Sequence, residues 1–264
     1  MRIIVALDGP RFSGRHSTWS GLRASVRAAA QALAPIASGH QLAILYAEDA
    51  AQDNSLGRLI EQELGNLLPF EIPFATLQMM IEVDADDASA QRALPLDIFE
   101  LNPIRWLLEH GTVVICAGGG AATVYTRGAH RRMTPMAADV DIDRCAELLA
   151  RKLNADLLLL TDEGPGVAAL EAIHRASPQT LAICDAVAGA TADKLRLACS
   201  FVTATGAAAA LGAVDDARRI VAGQAGLTIA PAATESIYAD CGVSNGRFGA
   251  LGTDVDALPR RPAK

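Results

Sequence analysis

The sequence predicts an α/β fold, an αβα sandwich with a mainly parallel central sheet. Short apolar runs typical of buried strands alternate along the chain with longer segments of helical periodicity, which is the pattern of parallel α/β proteins. Hydrophobic residues make up 51% of the 264 residues and aromatic residues only 4%. The chain can therefore cover both faces of a sheet with a large core built mainly from Ala, Leu, Ile and Val.

The predicted strands are short apolar runs bounded by polar residues or glycine. RIIVAL near the amino terminus and LLLL before Thr161 are continuous apolar stretches of strand length, as expected for strands buried on both faces. The predicted strands span residues 2–7, 41–46, 76–83, 112–116, 156–160, 207–211 and 227–229, the last as an edge strand.

The predicted helices are placed by their start and stop signals. Ser17 or Thr18 can cap the first helix, Pro103 lies in the first turn of a later one, and Gly111 and Gly223 follow helix ends. The predicted helices end at about residue 34 for the first and then span 56–67, 103–110, 143–153, 193–205 and 215–222.

Domain organisation follows from composition. Residues 1–230 contain neither an internal repeat nor a linker, so we expect a single domain there. Residues 231–264 are rich in small and polar residues, which predicts a tail without its own core.

Charge and cysteine content exclude several classes of function. The net charge is −7, and no cluster of Lys and Arg is interleaved with aromatic residues, so a nucleic-acid partner is not expected. No apolar run approaches the roughly 20 residues that span a bilayer, and the first residues do not follow the signal-peptide pattern, so neither a membrane span nor secretion is expected. Five scattered cysteines without a CxxC pair favour reduced thiols in a cytoplasmic protein, and no metal site is predicted.

Several blocks carry a family resemblance. NPIRWLLEHGTVVICAGGG (102–120) and DVDIDRCAELLARKLNADLLLLTD (139–162) are two helix–strand units, and RIIVALDGP opens the chain. With further segments over roughly residues 1–229, they resemble the carbamate kinases of the amino acid kinase family. The resemblance implies a substrate half (1–150), a nucleotide half (151–230), and phosphoryl transfer between ATP and carbamate giving carbamoyl phosphate. ATP or ADP with Mg²⁺ would be the cofactor of an active member.

The resemblance also implies site residues, each of which has a plainer structural explanation. Gly118 to Gly120 could hold an anion or form a tight turn, Lys194 could face a phosphate or solvent, and Asp162 could bind nucleotide or cap a helix. The expected catalytic residues are Lys194 and Asp141, although Asp141 could instead cap the following helix. The expected nucleotide-binding residues are Thr161, Asp162 and Lys194, and the expected anion or substrate loops contain Gly9, Gly118, Gly119 and Gly120.

Most departures from the family pattern are at positions where the resemblance implies catalytic or phosphate-binding residues. Ile142 occupies the position of an expected lysine, and Asp8 replaces the first glycine of a phosphate-binding pair. Pro10, which follows that pair, has no N–H to donate, and Glu48 and Asp49 bring carboxylates into a second glycine loop. The chain is also short around residues 87–101, where the family carries a lid over the substrate.

These departures predict a degenerate relative that acts as a nucleotide-binding or partner subunit. Losing one preorganised charge contact at a transition state typically costs about 10²–10³ in rate, and here several are altered together. The alternative is an active kinase that forms an acyl phosphate on carbamate or another small carboxylate. Carbamate kinases are dimers, so the resemblance implies a homodimer, or a heterodimer with a carbamate kinase relative.

Overall fold

A computed structural model of the chain describes residues 1–8, 12, 19–48, 55–84, 93–120, 123–127, 133–136, 138–163, 174–181 and 189–231. All of them lie in one of two contact units, Met1–Ala232. The cap residues Ser17 and Thr18 and the tail after residue 231 lie outside the described residues.

The central sheet has eight strands in the order β10-β12-β11-β9-β1-β2-β6-β3. All its pairs are parallel except β11 with β12, which confirms the mainly parallel sheet. Its strands are β1 (Arg2–Leu7), β2 (Gln41–Glu48), β3 (Phe74–Gln78), β6 (Val113–Gly120), β9 (Leu157–Thr161), β10 (Arg175–Ala176), β11 (Ala208–Gly212) and β12 (Leu227–Ile229). The predicted edge position of β12 is wrong, because the short strand β10 pairs with its outer side.

A second sheet of four strands has the order β5-β4-β7-β8. Its strands are β4 (Met80–Val83), β5 (Pro95–Ile98), β7 (Thr123–Arg127) and β8 (Met133–Met136). The single strand predicted over 76–83 is therefore two strands, since the chain leaves the large sheet at Met79 and enters the small one. Period-2 alternation runs through that break, so the sequence pattern could not reveal it.

The helices largely follow their predicted positions. They are α1 (Trp19–Ala37), α2 (Ser55–Gly65), α3 (Leu101–Glu109), α4 (Ile142–Leu153), α5 (Pro178–Leu181), α6 (Ala190–Thr205) and α7 (Ala217–Val221), the last preceded by a 3₁₀ turn at Val214–Asp216. Helix α1 continues to Ala37 through Pro35, which lies in its final turn. Helix α6 begins at Ala190 rather than at Asp193, so Lys194 lies one turn into the helix.

Two apolar layers cover the central sheet. Alternate strand residues such as Ile3 and Val5 pack with α1, α2 and α7, while Ile4 and Ala6 pack with α3, α4, α6 and the small sheet. The strand cores are fully buried on both faces, as their continuous apolar sequences predict. This arrangement is the expected αβα sandwich.

The glycine run lies in a strand rather than in the predicted turn. Gly118, Gly119 and Gly120 are the last residues of β6, and the pairing of β6 with β2 shifts by one residue next to them. A β-bulge of this kind re-aims the end of a strand. Local sequence could not distinguish the two conformations, because glycine permits both.

Candidate functional site

At the carboxyl edge of the sheet, the helices on the two sides of the β1–β9 pair pack on opposite faces. The helix that follows β1 packs on one face of the sheet, and the helix that precedes β11, the other neighbour of β9, packs on the opposite face. Where connections leave to opposite faces, a crevice opens at the carboxyl ends of the strands, and ligands of open α/β sheets bind there. The sequence-predicted residues Thr161, Asp162 and Lys194 all lie at this edge.

Lys194 is the centre of a charged cluster at this crevice. Its side chain is 6% exposed, and Nζ lies 2.8 Å from Oδ2 of Asp8 and 2.5 Å from Oδ2 of Asp143. Asp8 follows β1, whereas Asp143 is in the first turn of α4. The solvated position considered for Lys194 is therefore wrong: the lysine is buried and doubly paired.

The cluster shifts the pKa of its members in a definite direction. Burial raises the pKa of Asp143 from 3.8 to about 7; Lys194 opposes this shift, and the negative charges of Asp8 and Asp141 add to it. Burial by itself would lower the pKa of Lys194, but Asp143 and Asp8 raise it overall. Near neutral pH the lysine is charged and Asp143 is close to the midpoint of its titration.

One oxygen of Asp143 has no hydrogen-bond partner among the described residues. Oδ2 is paired with Lys194, and Oδ1 is buried and unpaired. Such an atom is costly in its ionised form. A proton on Asp143 removes much of that cost, in agreement with the raised pKa.

Thr161 joins the two strands that border the crevice. Its Oγ1 is 2.8 Å from the carbonyl oxygen of Ala6 and 3.1 Å from that of Asp8, and it accepts the backbone N–H of Asp8 at 2.9 Å. The residue is 2% exposed. Thr161 therefore fixes the backbone of Asp8 where its carboxylate meets Lys194.

Asp162 links the end of β9 to the start of α6. Its Oδ2 accepts a hydrogen bond from Thr191 Oγ1 at 2.7 Å, and its backbone N–H donates to Gly212 O at 3.0 Å. Residue Gly189 precedes α6 with φ 75° and no side-chain cap, a conformation that favours glycine. The first turn of α6 thus presents backbone N–H groups near the crevice.

Asp141 and Ile142 have structural roles in this conformation. Asp141 is the N-cap of α4, and its Oδ1 accepts the N–H groups of Asp143 and Arg144 at 3.0 and 3.2 Å. Ile142, at the position of the expected lysine, is 6% exposed and packs in the core. Of the two aspartates beside Ile142, the one that meets Lys194 is Asp143.

Of the glycines expected in the anion or substrate loops, Gly118 has a packing role. A Cβ at Gly118 would lie 1.8 Å from Cε of Met79, so glycine there makes room for a buried methionine. Gly9 and Pro10 lie outside the described residues.

Sequence reasoning missed the partners of Lys194. In the sequence Asp8 is only a departure from the glycine pattern and Asp143 only the first residue of a predicted helix, yet both bind this cation. The available signal was an aspartate directly after a buried strand and another in the first turn of a helix. Their convergence is visible only in the tertiary structure.

No group of three His, Cys, Asp or Glu side chains in the described part of the chain is arranged to hold a metal ion. Across the same residues, no helix combines the length and apolar character needed to cross a membrane.

The fold is that of the amino acid kinase class. A carbamate kinase from Giardia matches with a TM-score of 0.76 at 19% identity, over 87% of this chain and 98% of that one. The Giardia lamblia carbamate kinase bound to AMP-PNP matches with a TM-score of 0.73 at 20% identity, with the same two coverages. At these identities the likeness shows the fold alone.

Sequence relatives show the family. The chain is 33% identical to a carbamate kinase of Rhizobium meliloti, over 87% of this chain and 93% of the relative. It is 32% identical to one of Haemophilus influenzae, over 87% and 96%. The protein belongs to the carbamate kinase family.

No family model matches the sequence. The alignment with the Rhizobium protein spans 301 positions, more than the 264 residues of this chain. The relative therefore has residues with no counterpart here, in agreement with a shortened family member.

Proposed function

We propose that this protein is a carbamate kinase relative that binds nucleotide weakly, transfers phosphoryl groups poorly or not at all, and acts as a partner subunit. The observation that carries the proposal is the double pairing of Lys194 with Asp8 and Asp143. A transferring phosphoryl group spreads negative charge over its oxygens and needs an available cation. Here two carboxylates already surround the lysine.

The size of the charge–charge interactions favours poor phosphoryl transfer. Two unit charges 4 Å apart interact by about 4 kcal/mol at an effective dielectric constant of 20, so an ionised Asp8 beside the reacting phosphate would offset much of the attraction from Lys194. Ile142 supplies no second cation, and its side chain is buried in the core. Replacing Ile142 by Lys should therefore destabilise the fold instead of restoring the reaction.

The decisive measurement is ADP release from ATP and carbamate in the presence of Mg²⁺. We expect turnover to be undetectable, or many orders of magnitude below that of an intact carbamate kinase measured in parallel. Asp8→Gly, which returns the glycine of the family pattern, should leave turnover low because Ile142 is unchanged. Robust turnover by the unmodified protein would overturn the proposal.

Nucleotide binding should depend on the edge between β9 and α6. Support comes from the Thr191–Asp162 hydrogen bond and the buried lysine at this edge, and from the AMP-PNP complex of the Giardia lamblia relative. Calorimetry with ADP should give an affinity of about millimolar, lost in Asp162→Ala and Lys194→Met. Asp193→Ala, a change at an exposed residue of the same helix, is the matched control. Equal binding by all four proteins would place the nucleotide elsewhere.

An active kinase is the second candidate. One observation favours it: Lys194 is buried at the carboxyl edge and paired with Asp143, so a cation that is released by protonation of Asp143 could meet a phosphate there. That enzyme would form an acyl phosphate on carbamate or another small carboxylate. Turnover abolished by Lys194→Met but not by Asp193→Ala would establish it.

The partner-subunit role requires an exposed interface. Phe70 is fully exposed and Leu67 is 41% exposed in the connection from α2 to the edge strand β3, and Phe74, the first residue of β3, is 39% exposed. An apolar patch at an open strand edge favours association. We expect a homodimer, or a heterodimer with an intact carbamate kinase, that is weakened by Phe70→Asp. A monomer in light scattering at micromolar concentration, alone and mixed with that enzyme, would refute this assembly.

A further inference from the structure

Lys194 is one cation between two carboxylates that differ in their surroundings. The side chain of Asp8 is 40% exposed, whereas that of Asp143 is 10% exposed. Water can solvate the charge of Asp8, but it has little access to that of Asp143. Of the two carboxylates, Asp143 is therefore the one for which burial favours the neutral form.

The two oxygens of Asp143 allow it to change charge while it stays on the lysine. Oδ2 contacts Lys194, whereas Oδ1 is buried and has no hydrogen-bond partner among the described residues. A proton on Oδ1 neutralises the carboxyl group and leaves Oδ2 as an acceptor. Lys194, Asp8 and Asp143 together then carry no net charge when Asp143 is protonated, and one negative charge when it is ionised.

Three charged groups and burial set the protonation of Asp143. Lys194 of α6 favours the ionised form, whereas Asp8 after β1 and Asp141, the N-cap of the same helix, favour the protonated form. Burial is the largest cause and raises the pKa of Asp143 to about 7. The change of charge therefore falls near neutral pH.

Other charged groups on α4 and on the elements packed against it have partners of their own. These groups are Arg105 of α3 and Asp97 of β5, both on Lys152 at the far end of α4, Asp162 after β9 on Thr191, and Glu147 on Arg151. Burial raises the pKa of the thiols of Cys116 in β6 and Cys145 in α4, so both stay neutral near pH 7.

We propose that Asp143 is a pH-operated gate on phosphate binding at the crevice. With Asp143 protonated, Lys194 is opposed only by Asp8, whose side chain reaches solvent, and a phosphate group of a nucleotide can bind the lysine. With Asp143 ionised, the buried cluster is negative and repels the phosphate. The gate rests on the proposed function in one respect, namely that nucleotide phosphates reach this crevice.

The size of the effect follows from the fraction of the protein in which Asp143 is protonated. For a pKa of about 7, this fraction is about nine-tenths at about pH 6 and about one-tenth at about pH 8. Apparent affinity scales with the fraction that is competent to bind. If only the protonated form binds, affinity should fall about tenfold between these two pH values.

Calorimetry of the intact protein with ADP at the two pH values tests the gate. Asp143→Asn keeps the shape of the side chain without its charge and should lack the fall of about tenfold; because ADP itself titrates near the lower pH, this variant is the reference. Asp193→Asn, at an exposed residue of α6, should keep the fall. In Asp8→Asn the fall should move to lower pH, since the charge of Asp8 raises the pKa of Asp143.

A carboxyl-carbon NMR titration of the unmodified protein gives a second readout. Asp143 should titrate near neutral pH, and ADP should move its midpoint upward, because protonation and binding favour each other reciprocally. A midpoint that bound ADP leaves unchanged would overturn the gate.

The outcomes distinguish the gate from the proposed function. Binding that is lost in Lys194→Met, but has the same pH dependence in Asp143→Asn and in the unmodified protein, would overturn the gate alone. Robust turnover of ATP and carbamate would overturn the proposed function, while a fall of affinity that Asp143→Asn lacks would still support the gate. Absence of ADP binding by all these proteins at both pH values would overturn the gate and the nucleotide site together.

Discussion

Removing the charge of Lys194 should destabilise the protein by an amount that depends on pH. The variant is Lys194→Met, which keeps a long side chain in the 6%-exposed position and removes the cation. In the unmodified protein Lys194 partly offsets the burial of Asp143, whose pKa is nevertheless raised from 3.8 to about 7. Without the lysine, that pKa should rise further.

The direction of the pH dependence follows from proton binding. Between the ordinary carboxyl pKa of 3.8 and about 7, folded Asp143 holds a proton that the unfolded chain has released. Stability contributed by this group therefore falls as pH rises through that window. In Lys194→Met the window extends to higher pH, so the difference in stability from the unmodified protein should grow with pH.

The magnitude can be estimated from the cluster. At about pH 5 Asp143 is protonated in both proteins, and the variant loses mainly the interaction with Asp8, a cost of about 1 kcal/mol. At about pH 8 folded Asp143 has released its proton in the unmodified protein but still holds it in the variant, because its pKa there is higher. A difference of one bound proton changes relative stability by about 1.4 kcal/mol per pH unit above about 7, so the stability difference should increase by about 1.4 kcal/mol between these two pH values.

Urea denaturation at the two pH values measures this difference. The double variant Lys194→Met/Asp143→Asn removes both charges and should lose most of the pH dependence. Arg196→Met, on the same helix but exposed and paired with exposed Asp193, should change little at either pH. Equal destabilisation by Lys194→Met at both pH values would contradict the assigned role of Lys194, as would a double variant that is as pH-dependent as the single one.

Three other substitutions test the structural assignments. Asp141→Ala should destabilise the fold by about 1 kcal/mol through loss of the α4 cap, and Asp141→Ser should recover most of it in urea denaturation; equal stability of all three proteins would contradict the cap. Thr161→Val should cost about 1–3 kcal/mol, because the N–H of Asp8 loses its acceptor, whereas Thr161→Ser should cost less in the same assay. Glu63, 3% exposed between Arg23 and Arg27, has a pKa lowered mainly by its hydrogen bond to Arg27. Its contribution is therefore present above its ordinary pKa of 4.5 and lost as pH falls through the lowered folded value. Glu63→Gln should lower the melting temperature at neutral pH but only slightly in acid. An equal effect at both pH values would contradict a stabilising role for the ion pairs of Glu63 with Arg23 and Arg27.

Local sequence patterns are sufficient to locate several strands and helices of this protein. Continuous apolar runs gave β1, β9 and β11 within a residue or two of their ends, because a strand buried on both faces needs apolar residues at every position. Helical periodicity and cap residues located α2, α3 and α4 in the same way. The segments that resemble carbamate kinases, such as 102–120 and 139–162, also indicated the fold.

Tertiary structure alone decided where segments distant in sequence meet. Asp8 and Asp143 lie 186 and 51 positions from Lys194, and no local pattern predicts that they share one buried cation. The division of residues 74–83 between two sheets depends on which strands lie beside each half, and local periodicity does not encode that choice. Long-range packing also decides that Ile142 fills the core and that Asp141 caps a helix. The periodicity of a chain fixes which residues are buried together on one element, whereas the charge balance of a site depends on which elements the packing brings into contact.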